Sequence, residues 1–288
     1  MTIPRPDLFS SFGVGRRPGS ELADMAGWLG PGLTDHRGLI EMPALTVLFD
    51  DIGGLPFFFA EEGSSVQSRL SMSMLARPEI TEELDATAEL VLSDAAYGAT
   101  AVRISGAGGR PLCFGSARNV RVGRELVVDG DHLQIPASTA PGGELCTVDP
   151  NQPGREVVES LAHAWTSLGP LGELLGGAVS FARDGTVQFS STTAEWMANI
   201  MGSMHGGVIA AIVAQGLSYA AQATTPAGVG YQLIEFSVAF HRSPIVDGRT
   251  IVVHTRPIKV GRRLGVFAAE LYDGANLLAS GTADVRFD

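Results

Sequence analysis

Three pairs of segments in this sequence match one another at a nearly constant separation. Residues 109–122, GRPLCFGSARNVRV, and 274–287, GANLLASGTADVRF, lie 165 residues apart, and each is a glycine turn followed by an alternating strand ending Val-Arg-apolar. QSRLSMSMLARP (67–78) and LIEFSVAFHRSP (233–244) lie 166 apart. Both alternate with period two and both stop at a proline, which cannot donate to a sheet ladder. MPALTVLFDDIGG (42–54) and HGGVIAAIVAQGL (205–217) lie 163 apart, and each reads as a buried helix. A period this long means one α+β unit used twice, because each copy must bury its helix against its own strands.

The order within a copy is one long apolar helix and then long strands joined by Gly or Asp-Gly turns. Strands are expected near 64–76, 84–93, 98–105 and 111–122 in the first copy, and near 231–243, 249–258, 264–273 and 276–287 in the second. AVSFARDGTVQF (178–189) adds a strand pair about Asp184-Gly185, and EVVESLAHAWTSLGPLGELLG (157–177) has helical spacing. The expected organisation is an N-terminal repeat over 20–125, a Pro-, Gly-, Asp- and Ser-rich linker over 126–156, and a C-terminal repeat with its preceding helix over 157–288.

Composition narrows the function. With 20 basic against 31 acidic residues the chain carries −11, which argues against nucleic acid or an anionic membrane as partner. The 2 cysteines, Cys113 and Cys146, make neither a disulfide framework nor a thiolate cage. The start, MTIPRPDLFSSFGVGRR, lacks the apolar core of a signal peptide, and Gly206–Ala223 is too interrupted for a membrane span, so a cytoplasmic protein is expected. No spacing suggests a metal, and no phosphate loop or nucleophile elbow is present, so no cofactor is expected.

Asn199-Ile-Met-Gly-Ser-Met-His205-Gly206-Gly207 with the helix behind it, the strand end Ser243-Pro244, and Lys259-Val-Gly-Arg262 together resemble the phenylacetate-pathway (PaaI-like) acyl-CoA thioesterases. The doubled helix-and-sheet unit resembles their hotdog fold. The resemblance implies two tandem hotdog repeats forming an intramolecular pseudo-dimer, with possible sites at the internal interface. In that family a carboxylate follows the His-Gly-Gly histidine by nine residues. Here that position is Ala214, but the repeat offset carries it to Asp51 of the first copy. Conversely, His-Gly-Gly maps to Met42-Pro43-Ala44 and Asn199 to His36. A water-positioning serine of some members corresponds to Ser68 in the first copy and to Ile234 in the second.

Complementary halves are thus kept. In family dimers the carboxylate and the glycine amide come from opposite subunits, so the resemblance implies one composite site of Asp51, Ser68, Asn199, His205 and Gly206, beside an apolar twin at Ala214 and Ile234. Asp51 would serve as general base or as nucleophile, the Gly206 amide as oxyanion donor at a helix start, and Asn199 as a turn or water-orienting residue. His205 reads as a residue fixing the loop, and Asp51 beside Asp50 also fits a solvated helical pair. Gly207, Lys259, Arg262 and Arg263 are candidate substrate-binding residues, although charge on a hairpin turn is ordinary. Leu55, Phe57, Phe58, Phe59, Ala210 and Ala211 offer a medium- or long-chain or aryl acyl pocket. The expected function is hydrolysis of such an acyl-CoA by a homodimer of tandem chains. A non-catalytic acyl-CoA binding protein and a hotdog enoyl-CoA hydratase or dehydratase are the alternatives.

Overall fold

The computed structural model describes residues 7–20, 24–60, 64–123 and 135–288. Its helices are α1 (Leu8–Phe12), α2 (Met42–Ala60), α3 (Gly154–Ala162), α4 (Pro170–Leu174) and α5 (Gly206–Gln222). The strands are β1 (Val14–Gly15), β2 (Asp24–Trp28), β3 (Ser65–Met74), β4 (Glu83–Ser93), β5 (Tyr97–Gly106), β6 (Arg110–Arg121), β7 (Gly177–Phe181), β8 (Val187–Thr192), β9 (Tyr231–Phe240), β10 (Thr250–Val260), β11 (Leu264–Asp273) and β12 (Asn276–Phe287).

All twelve strands form one antiparallel sheet in the order β1-β2-β4-β5-β6-β3-β9-β12-β11-β10-β8-β7. The order is a palindrome about β3 and β9. Ser71 pairs with Ser237 at its centre, and their hydroxyls meet at 3.3 Å. Equivalent elements start at 42 and 206, 65 and 231, 83 and 250, 97 and 264, and 110 and 276. The sequence repeat is therefore a pseudo-two-fold, and each copy closes its sheet on the other instead of leaving a bare edge.

The long helices α2 and α5 lie against this sheet and against each other. Both are apolar on nearly every side, as a helix wrapped all round must be. By length and composition α2 could cross a membrane, yet most of it is buried inside the fold. A Cβ on Gly53 would lie 2.8 Å from the Ala117 methyl, and one on Gly207 would lie 2.6 Å from the Val47 Cα. Glycine at these two positions lets α2 reach the sheet and α5 reach α2. The helices run antiparallel: the start of α5 meets the middle of α2 where the Thr46 hydroxyl donates to the Gly207 carbonyl (2.8 Å), and the end of α5 meets His36 at Gln222 (3.0 Å).

Three features depart from the sequence reading. The helix expected over 157–177 is two short helices, broken at Ala164 (φ 54°) and by Gly169-Pro170. The first copy has outer strands of its own, β1 and β2, which match β7 and β8 but are too short to signal themselves. The expected linker falls partly outside the described residues. From Ile135 onward it packs on the first repeat, where the Gly32 amide donates to the Pro141 carbonyl (2.9 Å).

Candidate active site

Each helix contributes what the other lacks. His205 is the N-cap of α5, and its extended backbone turns the chain into the helix. The Gly207 N–H donates to Asp50 Oδ2 of α2 (2.6 Å) and points at His205 Nδ1 (3.0 Å). His205 N–H goes to the Met197 carbonyl (2.9 Å), and the amides of Val208 and Ile209 go to the His205 carbonyl (3.1 Å each). Among the described residues the Gly206 N–H has no partner, so it is the open donor of the first turn. It sits where the helix dipole is equivalent to roughly +0.5 charge.

Asp51, the next residue of α2, faces the same space. Its Oδ1 lies 3.2 Å from His205 Nε2, and its Oδ2 is buried without a hydrogen-bond partner among the described residues. Burial opposes a charge on His205, but Asp51 and then Asp50 outweigh it and raise the imidazole to about 9. Burial, helped by the Asp51 charge, pushes Asp50 up to about 6 against the pull of His205 and the Gly207 amide. Asp51, His205 and Gly206 line one cavity of about 700 Å³. Leu55 and Phe58 of α2, Leu8 and Phe9 of α1, and Trp196, Ile200, Met201 and Phe240 of the second repeat give it a mainly apolar wall.

Not every expected site residue is in it. Asn199 is at the cavity wall, but its side chain ties its own turn, with Oδ1 accepting from Met201 N–H (2.9 Å) and Ser203 N–H (3.3 Å). Ser68 is outside. A β-bulge between Gln67 and Arg69 breaks the alternation that counting assumes, and the Ser68 hydroxyl donates to the Arg118 carbonyl (3.3 Å). Gln67 lines the cavity instead, and its Nε2 donates to the Asp50 carbonyl (2.7 Å). Gly207 is a packing residue, with its amide spent on Asp50 and its Cα against Val47.

Lys259, Arg262 and Arg263 lie at the β10–β11 hairpin, at the other end of the sheet. The Arg263 carbonyl accepts from Phe287 N–H, Phe287 pairs with Tyr231, and the cavity is at Phe240, nine residues further along β9. At about 3.3 Å per residue that is about 30 Å. Of the expected pocket residues, Leu55 and Phe58 line the cavity. Phe57 packs under the Arg121 guanidinium (4.2 Å), Phe59 points outward, and Ala210 and Ala211 are sealed in the core.

The twin position is neither apolar nor open. Pseudo-symmetry puts Asp35, Arg37, Glu41 and Arg77 there, against Tyr231 and Ser218. Arg37 pairs with Asp35 (2.6 Å) and Glu41 (2.8 Å), donates to the Tyr231 carbonyl (2.8 Å) and lies 3.7 Å from the Tyr231 ring centre. Arg77 pairs with Glu41 (2.6 Å) and also reaches the Tyr231 carbonyl. Burial raises Glu41 in spite of Arg37 and Arg77. Asp35, equally buried, is held below its ordinary value by Arg37 and by the Leu39 amide. Ala214 is fully buried beneath this network, and Ile234 is half-buried.

The sequence reading missed Asp50, Gln67 and Arg16. In sequence Asp50 reads as one half of a solvated acidic pair with Asp51, yet it is 2% exposed and spans the two repeats. Arg16 comes from the N-terminal segment, which has no long periodic pattern; it lines the cavity with Asp51, and its charge acts on Asp51 and on Asp24. Among the described residues no group of three or more His, Cys, Asp or Glu has the geometry to hold a metal.

The sequence model described as the thioesterase superfamily matches residues 201–280, from the turn before α5 into β12. No curated protein matches the chain. Among solved structures, a protein with hot dog fold from Alicyclobacillus acidocaldarius is 12% identical, with a TM-score of 0.63 over 98% of this chain and 97% of that one. The tesB protein of Mycobacterium avium subs paratuberculosis is 10% identical, with a TM-score of 0.62 over 98% of both chains. The acyl-CoA thioesterase II TesB2 from Mycobacterium marinum is 10% identical, with a TM-score of 0.57 over 96% of both. At such identities the likeness concerns the fold, and it runs the length of the chain. The chain therefore has the hotdog fold, and its second repeat carries the thioesterase-superfamily match.

Proposed function

We propose that this chain is an acyl-CoA thioesterase with one composite site between its repeats. The observation that carries the reading is that Asp51 of one repeat and the unpartnered Gly206 amide of the other line one apolar-walled cavity. A thioester carbonyl set against the Gly206 N–H has its developing oxyanion stabilised at a helix start, an effect worth about 2.7–4 kcal/mol for one donor. Asp51 takes a proton from water as the water oxygen adds to the carbonyl carbon. Alternatively, Asp51 attacks the carbon itself and water opens the resulting anhydride. Collapse breaks the C–S bond, the proton passes to the departing sulfur, and the products are a carboxylic acid and coenzyme A. The apolar wall supports a medium- or long-chain or aryl acyl group. The Asn-x5-His-Gly-Gly motif supports placing the chain with the PaaI-like enzymes, here as a cytoplasmic homodimer of tandem chains.

One contact favours a second reading. His205 Nε2 lies 3.2 Å from Asp51, a histidine–carboxylate pair of the kind that hydrates an enoyl thioester. A panel of saturated and enoyl-CoA esters with a thiol reagent separates the two, because hydrolysis frees coenzyme A and hydration does not. We expect thiol release from saturated substrates, lost by a factor of about 10² or more in Asp51→Asn. Equal release by that variant would remove the hydrolase reading.

A further inference from the structure

The reaction outlined above uses Asp51 and the Gly206 amide but gives no task to the buried carboxylate beside them. We propose that Asp50 is a positioning residue: it ties the start of α5 to α2 and holds His205 so that the imidazole meets Asp51. The inference rests on the hydrolase reading for its kinetic consequence, not for its geometry.

Asp50 lies where a carboxylate is costly. The helices superpose 42 on 206, and Phe49 and Val213 meet the equivalent glycines Gly115 and Gly281. The equivalent of Asp50 in the second repeat is therefore the fully buried Ala214, and an apolar side chain is what this layer of the helix pair ordinarily takes. At Asp50 the carboxylate is instead spent on three things. Oδ2 accepts the Gly207 N–H at 2.6 Å, which removes the competing donor and leaves the Gly206 amide as the one facing the cavity. The same oxygen lies 3.3 Å from His205 Nδ1, while His205 Nε2 lies 3.2 Å from Asp51 Oδ1. The ring is therefore hydrogen-bonded through Nε2 to Asp51 and lies at ion-pair distance from Asp50 through Nδ1, and the line Asp50–His205–Asp51 crosses the repeat interface twice. Finally, the site stays close-fitting: a Cβ on Gly206 would lie 2.8 Å from Asp50 Oδ2, so glycine is required there as much by Asp50 as by substrate.

The charged groups lining the cavity with the ring are Asp50 and Asp51 from α2, Asp7 at the N-cap of α1, and Arg16 just after β1. Glu195, in the loop before α5, lines the same cavity. Both aspartates touch the imidazole, so removing the Asp50 charge acts on His205 directly.

The test uses the intact chain. Asp50→Asn keeps the shape and an acceptor oxygen for the Gly207 amide but removes the charge, and Asp50→Ala copies the second repeat. NMR titration of the His205 imidazole needs only folded protein. We expect its midpoint to fall by about 1–3 pH units in Asp50→Asn, as loss of an opposite charge at this range produces. With acyl-CoA we expect kcat to fall by about 10- to 100-fold and KM to hold within about twofold. An unchanged His205 titration overturns the proposal, and so does a shifted titration with unchanged kcat. If the wild-type chain releases no coenzyme A from any ester, the hydrolase reading fails by itself, and the titration still decides whether Asp50 sets His205.

Discussion

Arg37→Met is the sharpest probe of how the second site was lost. The substitution keeps an unbranched chain of similar length but deletes the charge at the centre of the twin cleft. Its side chain is 8% exposed, and the partner side chains are 2% (Asp35) and 1% (Glu41). Removing the cation strands two desolvated carboxylates. Asp35 keeps the Arg37 and Leu39 amides (2.8 and 3.1 Å), and Glu41 keeps Arg77 (2.6 Å), so neither is wholly abandoned. Breaking a buried pair from one side costs about 3–5 kcal/mol, and the contact with the Tyr231 ring lies within that range. For a domain of this size each kcal/mol lowers Tm by about 2–4 °C, so the expected fall is about 6–20 °C. Calorimetry, with urea unfolding to check that the m-value is unchanged, reads it directly. A loss under about 1 kcal/mol, the value of an exposed pair, would refute the claim that this network fills the cleft. Should Arg37→Met bind a second acyl-CoA per chain, the cleft would be a blocked site and not a rebuilt one.

Other expectations concern the working side. His205 has a folded pKa near 9 against 6.5 for the free side chain, so its stabilisation is fully present below pH 6.5 and is lost as pH rises through 9. The Tm difference between the wild-type chain and His205→Gln should shrink across that window, and a difference constant from pH 6 to 10 would contradict the assignment. Phe58→Ala lengthens the cavity, so the optimal acyl chain should grow, by up to about fourfold in kcat/KM per added methylene at about 0.8 kcal/mol each. Replacing Lys259, Arg262 and Arg263 together by alanine should leave KM for acyl-CoA within about twofold, because about 30 Å is several screening lengths at physiological salt. A tenfold rise would return that hairpin to the site.

Much of the architecture was legible because it repeats. Period-two alternation, glycine turns and all-apolar helices are local signals, and their recurrence at 163–166 residues doubled each of them. The family resemblance and the repeat together paired Asp51 with Gly206: the resemblance implied a carboxylate and a glycine amide from opposite halves, and the offset carried the carboxylate to the first copy. What the sequence left undecided was which way each side chain faces. Ser68 and Gln67 exchange roles because a single bulged residue reverses a strand's faces, and counting along the chain does not register a bulge. Asp50 and Asp51 are neighbours in sequence yet point about 100° apart around a helix, so Asp50 is buried against α5 at the cavity wall while Asp51 is the more open of the two. The twin cleft shows the same limit. Loss of Ala214's counterpart chemistry was visible as missing residues, but Asp35, Arg37, Glu41 and Arg77 become a buried network only when two loops and a strand from separate parts of the chain converge on Tyr231. Burial, and with it the cost or worth of a charge, is a property of what packs around a residue, and the tertiary structure alone decides that.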